Sequence, residues 1–183
     1  CEITVMAMFL SFYTGENMDK LTLAPKLRRD ETPQTVVEGV VSFGDMHKGF
    51  VGSLDDRTKP GLGVYVEPLY ELAKEYVDDV YDITGSRFEQ VLHFVGQGSP
   101  VLVITPSNYN IVPQSMIQTW KTASGYMEVT FKEHSVLIVG YDEQYVYFND
   151  PNTGRQNKQA IDAFQAGWEH QGSQALLVVH GTK

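Results

Sequence analysis

EHSVLIVGYDEQYVYFNDPNTG, Glu133 to Gly154, carries two alternating apolar runs on either side of a short polar break. Side chains of an extended chain point alternately to its two faces, so His134, Val136 and Ile138 share one side of the first run. Val146, Phe148 and Asp150 share one side of the second. The break Asp142-Glu143-Gln144 makes the pair a hairpin. Pairing about that turn sets His134 opposite residues 152–153 and leaves Asp150 two or three positions off direct register. Diagonal neighbours on adjacent strands are about 7–8 Å apart, and a small bulge or a longer turn would close that gap. Pro151 restricts the backbone directly after the carboxylate. Alone, His134 reads as a structural residue at a sheet edge and Asp150 as a turn residue. Together they read as a base and the group that orients it.

The elements around this hairpin fit one α+β layout, with helices first and an antiparallel sheet afterwards. Pro100 to Thr105 is a fully apolar strand, Met127–Phe131 another, and Arg155–Gln159 and Gln174–Val179 two more. A further short strand is expected at Tyr81–Thr84, and helices at Glu67–Val77 and Ala160–Glu169. Ser86-Arg87-Phe88-Glu89 has capping-box form and opens a helix that Gly96 and Gly98 stop. Trp120 falls in a polar loop, where it packs at the core or edge or lines a cleft. The stretch from Arg28 to Gly63 is poor in periodicity and rich in glycine, as a functional loop or cover would be. A short helix near Met18–Leu27 is interrupted by Pro25.

At the far end of the sequence stands its one cysteine, Cys1, ahead of a dense apolar run. Residues 3–13 tolerate a strand reading, but Ile3, Met6, Ala7, Leu10 and Tyr13 form one helical face, and Gly15 suits a helix C-cap. Helix is favoured. Three readings of Cys1 then compete: a lipid-anchor residue, an N-terminal nucleophile using its own amine, and a catalytic thiol at the start of a core helix. A lipid anchor normally leads into a flexible polar tether, whereas Ile3 onward looks packed. The amine-assisted nucleophile requires Cys1 to open a strand. At a helix start, free backbone N–H groups and the helix dipole favour a thiolate and a developing oxyanion. On the residues alone, an inert buried thiol and a nucleophile stand level.

Composition limits the remaining choices. The 183 residues are 42% hydrophobic and 20% charged, so a single globular domain over 1–183 is expected. A net charge of −9 argues against nucleic acid, which needs clustered Lys and Arg. The longest apolar run, Val5 to Leu10, is far short of a membrane span. One cysteine excludes an internal disulfide. The sequence has no initiator Met, basic leader or cleavage pattern, so a processed or partial chain is expected. His47 beside Asp45 is weak evidence for a metal pair and reads better as a groove-lining loop. His93, His170 and His180 read as surface. Tyr109, Tyr126, Tyr141, Tyr145 and Tyr147 read as sheet packing rather than a carbohydrate platform, Asn149 and Asn152 as turn residues, either of which could substitute for the orienter, and Glu133 as pointing away from His134.

CEITVMAMFLSFYTGENMDKLTLA at the start, together with the hairpin, resembles the C39-like cysteine peptidases, the bacterial papain-like group, and their stand-alone branch in particular. The middle segment GDMHKGFVGSLDDRTKPGLGVYVEPL is similar to that branch's glycine-rich insertion. The resemblance implies a papain-like α+β fold, a helical part packed on an antiparallel sheet. It implies Cys1 as nucleophile, His134 as base and Asp150 as orienter, acting on a peptide or protein substrate with no metal or organic cofactor. An acyltransferase or amidase would use the same three residues, and a non-catalytic peptide-binding module would keep the cleft. Stand-alone members are generally exported, so an extracytoplasmic location is expected. Papain-like enzymes usually supply an oxyanion donor from a glutamine a few residues before the cysteine, a position outside this sequence.

Overall fold

The computed structural model describes residues 1–53 and 61–179; His180 and residues 54–60 of the glycine-rich segment lie outside the described residues. The helices are α1 (Glu2–Thr14), α2 (Lys20–Leu23), α3 (Val66–Lys74), α4 (Phe88–Gly96) and α5 (Ile161–His170). The strands are β1 (Arg29–Asp30), β2 (Thr35–Val37), β3 (Val40–Ser42), β4 (Phe50–Gly52), β5 (Gly61–Gly63), β6 (Val80–Asp82) and β7 (Val101–Pro106). They continue with β8 (Gln118–Thr122), β9 (Gly125–Val129), β10 (Glu133–Tyr141), β11 (Tyr145–Asp150), β12 (Arg155–Ala160) and β13 (Ala175–Val178). The α+β expectation holds.

A six-stranded sheet in the order β12-β11-β10-β7-β13-β6 organises the molecule, and each of its neighbouring pairs is antiparallel. Both of its faces are covered, which explains the unbroken apolar run of β7. Leu102 and Ile104 enter the core on the α1 side, while Val101 and Val103 enter the core on the α4 and α5 side. Strand β13 divides in the same way, Leu176 and Val178 against Ala175 and Leu177.

Helix α1 is apolar nearly all round because it is buried nearly all round. It packs on β10 and β7 on one side and α3 on another. Val5, Met6, Phe9 and Leu10 are fully buried, each Phe or Leu side chain contributing roughly 1.5–3 kcal/mol. Gly15 ends the helix at φ 72°, its N–H donating to Ser11 O at 3.1 Å. This left-handed cap favours glycine. The strand reading of the first residues is thereby excluded, and with it the condition that the amine-assisted nucleophile required.

Three local expectations need correction. The N-cap of α4 is Arg87, not Ser86: Gln90 Oε1 accepts from the Arg87 N–H at 3.1 Å, while the Ser86 hydroxyl closes a turn on Ile83 O at 2.7 Å. Trp120 lies in strand β8, not in a loop; its ring is buried and its Nε1 donates to Gly44 O at 3.0 Å. Among its described residues the glycine-rich stretch holds five short strands, of which β2 and β3 join β8 and β9 in a four-stranded sheet and β1, β4 and β5 form a three-stranded one. No helix among the described residues is long and apolar enough to cross a membrane.

Candidate active site

Strands β10 and β11 build the site from their shared end. The ladder pairs Tyr141 with Val146 and Gly140 with Tyr147, shifts register, then pairs Ile138 with Phe148 and Leu137 with Asn149. The shift is a bulge of the kind that re-aims side chains near functional sites. Asp150 follows Asn149 at the end of β11, and its carboxylate meets His134, the second residue of β10. His134 Nε2 lies 3.1 Å from Asp150 Oδ1, and both side chains are almost wholly buried.

Every side of Asp150 is engaged. Oδ1 also accepts the Asn152 N–H at 2.9 Å, and Oδ2 accepts a short hydrogen bond from the Tyr109 hydroxyl. Tyr109 is held against Phe148 and Phe164 in the core under α5. Burial pushes the Asp150 carboxyl up, but Tyr109, the Asn152 N–H and His134 together hold it below its usual range. His134 moves downward as well. Burial disfavours its charged form by more than the hydrogen bond and charge of Asp150 favour it. The phenol of Tyr109 is raised by burial and by Asp150, so it stays protonated and donates.

Cys1 is the N-cap residue of α1, with its side chain 32% exposed. Its Sγ donates to Asn152 Oδ1 at 3.2 Å. One residue thus links the start of α1 to the end of β11: the Asn152 side chain holds the thiol while its backbone N–H holds Asp150. The structure brings His134 and Asp150 into direct contact. It brings Cys1 to the same site through Asn152, not through a hydrogen bond to His134.

The sequence model of the Peptidase C39-like family matches residues 1–176, which include all of these side chains. The chain belongs to that family. It is similar to YvpB, an uncharacterized protein of Bacillus subtilis strain 168, at 42% identity over 179 residues that cover 97% of this chain and 68% of YvpB. Its fold matches the crystal structure of a candidate C39-like peptidase from Bacillus anthracis at TM-score 0.88 and 34% identity, covering 100% of this chain and 90% of that one.

Two residues of this C39-like site make contacts that the sequence does not show: Asn152, which could also stand in for the orienter, and Tyr109. Asn152 reads as a turn residue, and it is one, but its side-chain partner lies 151 residues away. Tyr109 reads as sheet packing, and its ring does pack, while its hydroxyl serves Asp150. No local pattern signals either contact. Of the other candidates, His47 forms an ion pair with Glu67, Nδ1 to Oε1 at 2.8 Å, well separated in sequence from the site. His93 and His170 are exposed, as is Tyr126.

Proposed function

We propose that this C39-like chain is a cysteine peptidase in which Cys1 is the nucleophile, His134 the general base and Asp150 the orienting carboxylate. The observation that carries the reading is the buried His134–Asp150 pair joined through Asn152 to the thiol at the start of α1. With Nε2 committed to Asp150, Nδ1 is the ring nitrogen left to take the thiol proton. Proton transfer requires Sγ to leave Asn152 and reach that nitrogen.

The sulfur then attacks the peptide carbonyl carbon, and the carbonyl oxygen takes up negative charge beside the free N–H groups of the first turn of α1. The imidazolium returns its proton to the departing amine as the C–N bond breaks, leaving a thioester on Cys1. Water, deprotonated by His134, attacks the thioester; the thiolate leaves, recovers a proton, and a carboxylic acid is released. A general base of this kind contributes roughly 10²–10⁴ in rate.

Acid quench during turnover of a peptide, followed by mass spectrometry, tests the scheme. The expected result is an acyl adduct on Cys1 that decays to free carboxylic acid and is absent in Cys1→Ala. Transfer of the acyl group to an added amine or alcohol in preference to water would make the chain an acyltransferase. No adduct, with a thiol no more reactive than free cysteine toward iodoacetamide, would overturn the enzymatic reading.

A further inference from the structure

Each proposed reacting residue has a glutamate beside it in sequence, Glu2 after Cys1 and Glu133 before His134, and the fold buries both. Strand alternation sends Glu133 to the opposite face of β10 from His134, toward α1. There its two carboxyl oxygens are fully enclosed and have no donor among the described residues. The group that faces them is the carboxyl of Glu2. Gly63 marks the point of convergence: a methyl group on its Cα would lie 2.1 Å from Glu133 Oε2 and 2.8 Å from Glu2 Oε1. Only glycine leaves room for both.

Two ionised carboxyls are acceptors only and cannot bond each other. Facing one another in this enclosed site they would repel, and Glu133 would have no counter-donor among the described residues. A single proton changes this, because an O–H donating to a carboxylate is among the stronger hydrogen bonds. We infer that Glu2 and Glu133 share one proton and act as a positioning pair, fastening the start of α1 to the start of β10 and so fixing Cys1 relative to His134.

The surroundings support that state. Burial, then the charge and hydrogen bond of Glu2, push the Glu133 carboxyl well above its ordinary range. Among the described residues, the other titratable groups facing the pair are His134 on β10 and Tyr65 between β5 and α3, behind which stand Asp45 and Glu67, and the Cys1 nitrogen lies 3.7 Å from Glu2 Oε2. The inference rests on the peptidase reading for its purpose, but its evidence is separate from catalysis.

Infrared difference spectra and melting curves test it on the whole chain without a substrate. Wild type at neutral pH is expected to show the carbonyl band of a protonated carboxylic acid that disappears in Glu133→Gln and disappears or shifts in Glu2→Gln. Because Glu133 is raised, the stability it contributes is complete below the ordinary glutamate value and lost as the pH rises toward its folded value. The melting temperature of wild type relative to Glu133→Gln therefore falls over that range. Glu133→Ala slows alkylation of Cys1 by roughly tenfold through misplacement, and the glutamine variant recovers most of that loss. A spectrum without the band, or a melting difference that does not change with pH, overturns the shared proton. Unchanged alkylation in Glu133→Ala overturns the positioning role. None of these results depends on whether a peptide is cleaved.

Discussion

Strand β10 begins with two adjacent residues that meet buried carboxyls on opposite faces of the sheet, and the two faces treat those carboxyls differently. On the α5 side, Asp150 has Tyr109, the Asn152 N–H and His134 around it. On the α1 side, Glu133 has Glu2 and no donor. Both groups are almost completely removed from water, so burial alone does not decide their charge. The supply of donors does: three hold Asp150 as an anion, and their lack holds a proton on Glu133. The first arrangement suits a group that must orient an imidazole; the second suits a fastener.

The largest effect that sharpens this contrast is expected from His134→Ala. It removes the proposed base and should lower peptide hydrolysis by roughly 10²–10⁴, measured as kcat/KM. Asp150→Asn comes next, with a loss on the order of 10² if positioning of the imidazole accounts for part of that factor. It also has a sign. Asp150 raises the imidazole against the pull of burial, so the wild-type acid limb lies below the ordinary histidine value of about 6.5. In Asp150→Asn the limb moves to lower pH still. A shift to higher pH would show that the pair is not coupled as described.

Tyr109→Phe is expected to cost about 1.5–3 kcal/mol in denaturant unfolding, the value of a hydrogen bond to a charged group. Asp150 is held below its usual range, so the stability it contributes is complete above that range and lost as the pH falls through the folded value. The phenylalanine variant should lose stability at a higher pH on acidification. The smallest change is expected from Asn152→Ala, which frees the thiol while leaving the backbone N–H on Asp150. A few-fold change in the rate of Cys1 alkylation is its signature, with unfolding within about 1 kcal/mol of wild type.

The hairpin was legible because its two signals are local: period-two alternation in both strands and a polar break between them. A bulge was one of the two ways to close the gap between His134 and Asp150, and the sequence could neither choose it nor place it between Ile138 and Gly140, since a one-residue shift has no composition. Helix α1 was legible from Gly15 and its length, whereas the strand alternative survived until packing on both sides was known. The four-stranded sheet carries a signal that is easily passed over. Thr-Val-Val-Glu-Gly-Val-Val-Ser places two apolar runs around Glu38 and Gly39, both at positive φ, 51° and 79°, the geometry of a two-residue hairpin turn. Trp120 was missed as a strand residue because Gln118, Thr119 and Lys121 around it are exposed and polar. In the site, His134 and Asp150 lie in one hairpin and can be paired by counting. Asn152 and Glu133 take their meaning from contacts with residues 1 and 2, which only the folded chain supplies.

The reactivity of a single thiol tests the central claim most directly. Iodoacetamide labelling below neutral pH, located by mass spectrometry, compares wild type with His134→Ala. The account predicts rapid labelling of Cys1 in wild type and a loss of at least roughly tenfold when the imidazole is removed, because a neighbouring imidazolium favours the thiolate. Equal rates in the two proteins would mean that Cys1 and His134 do not act on each other, and the proposed chemistry would fall with that result.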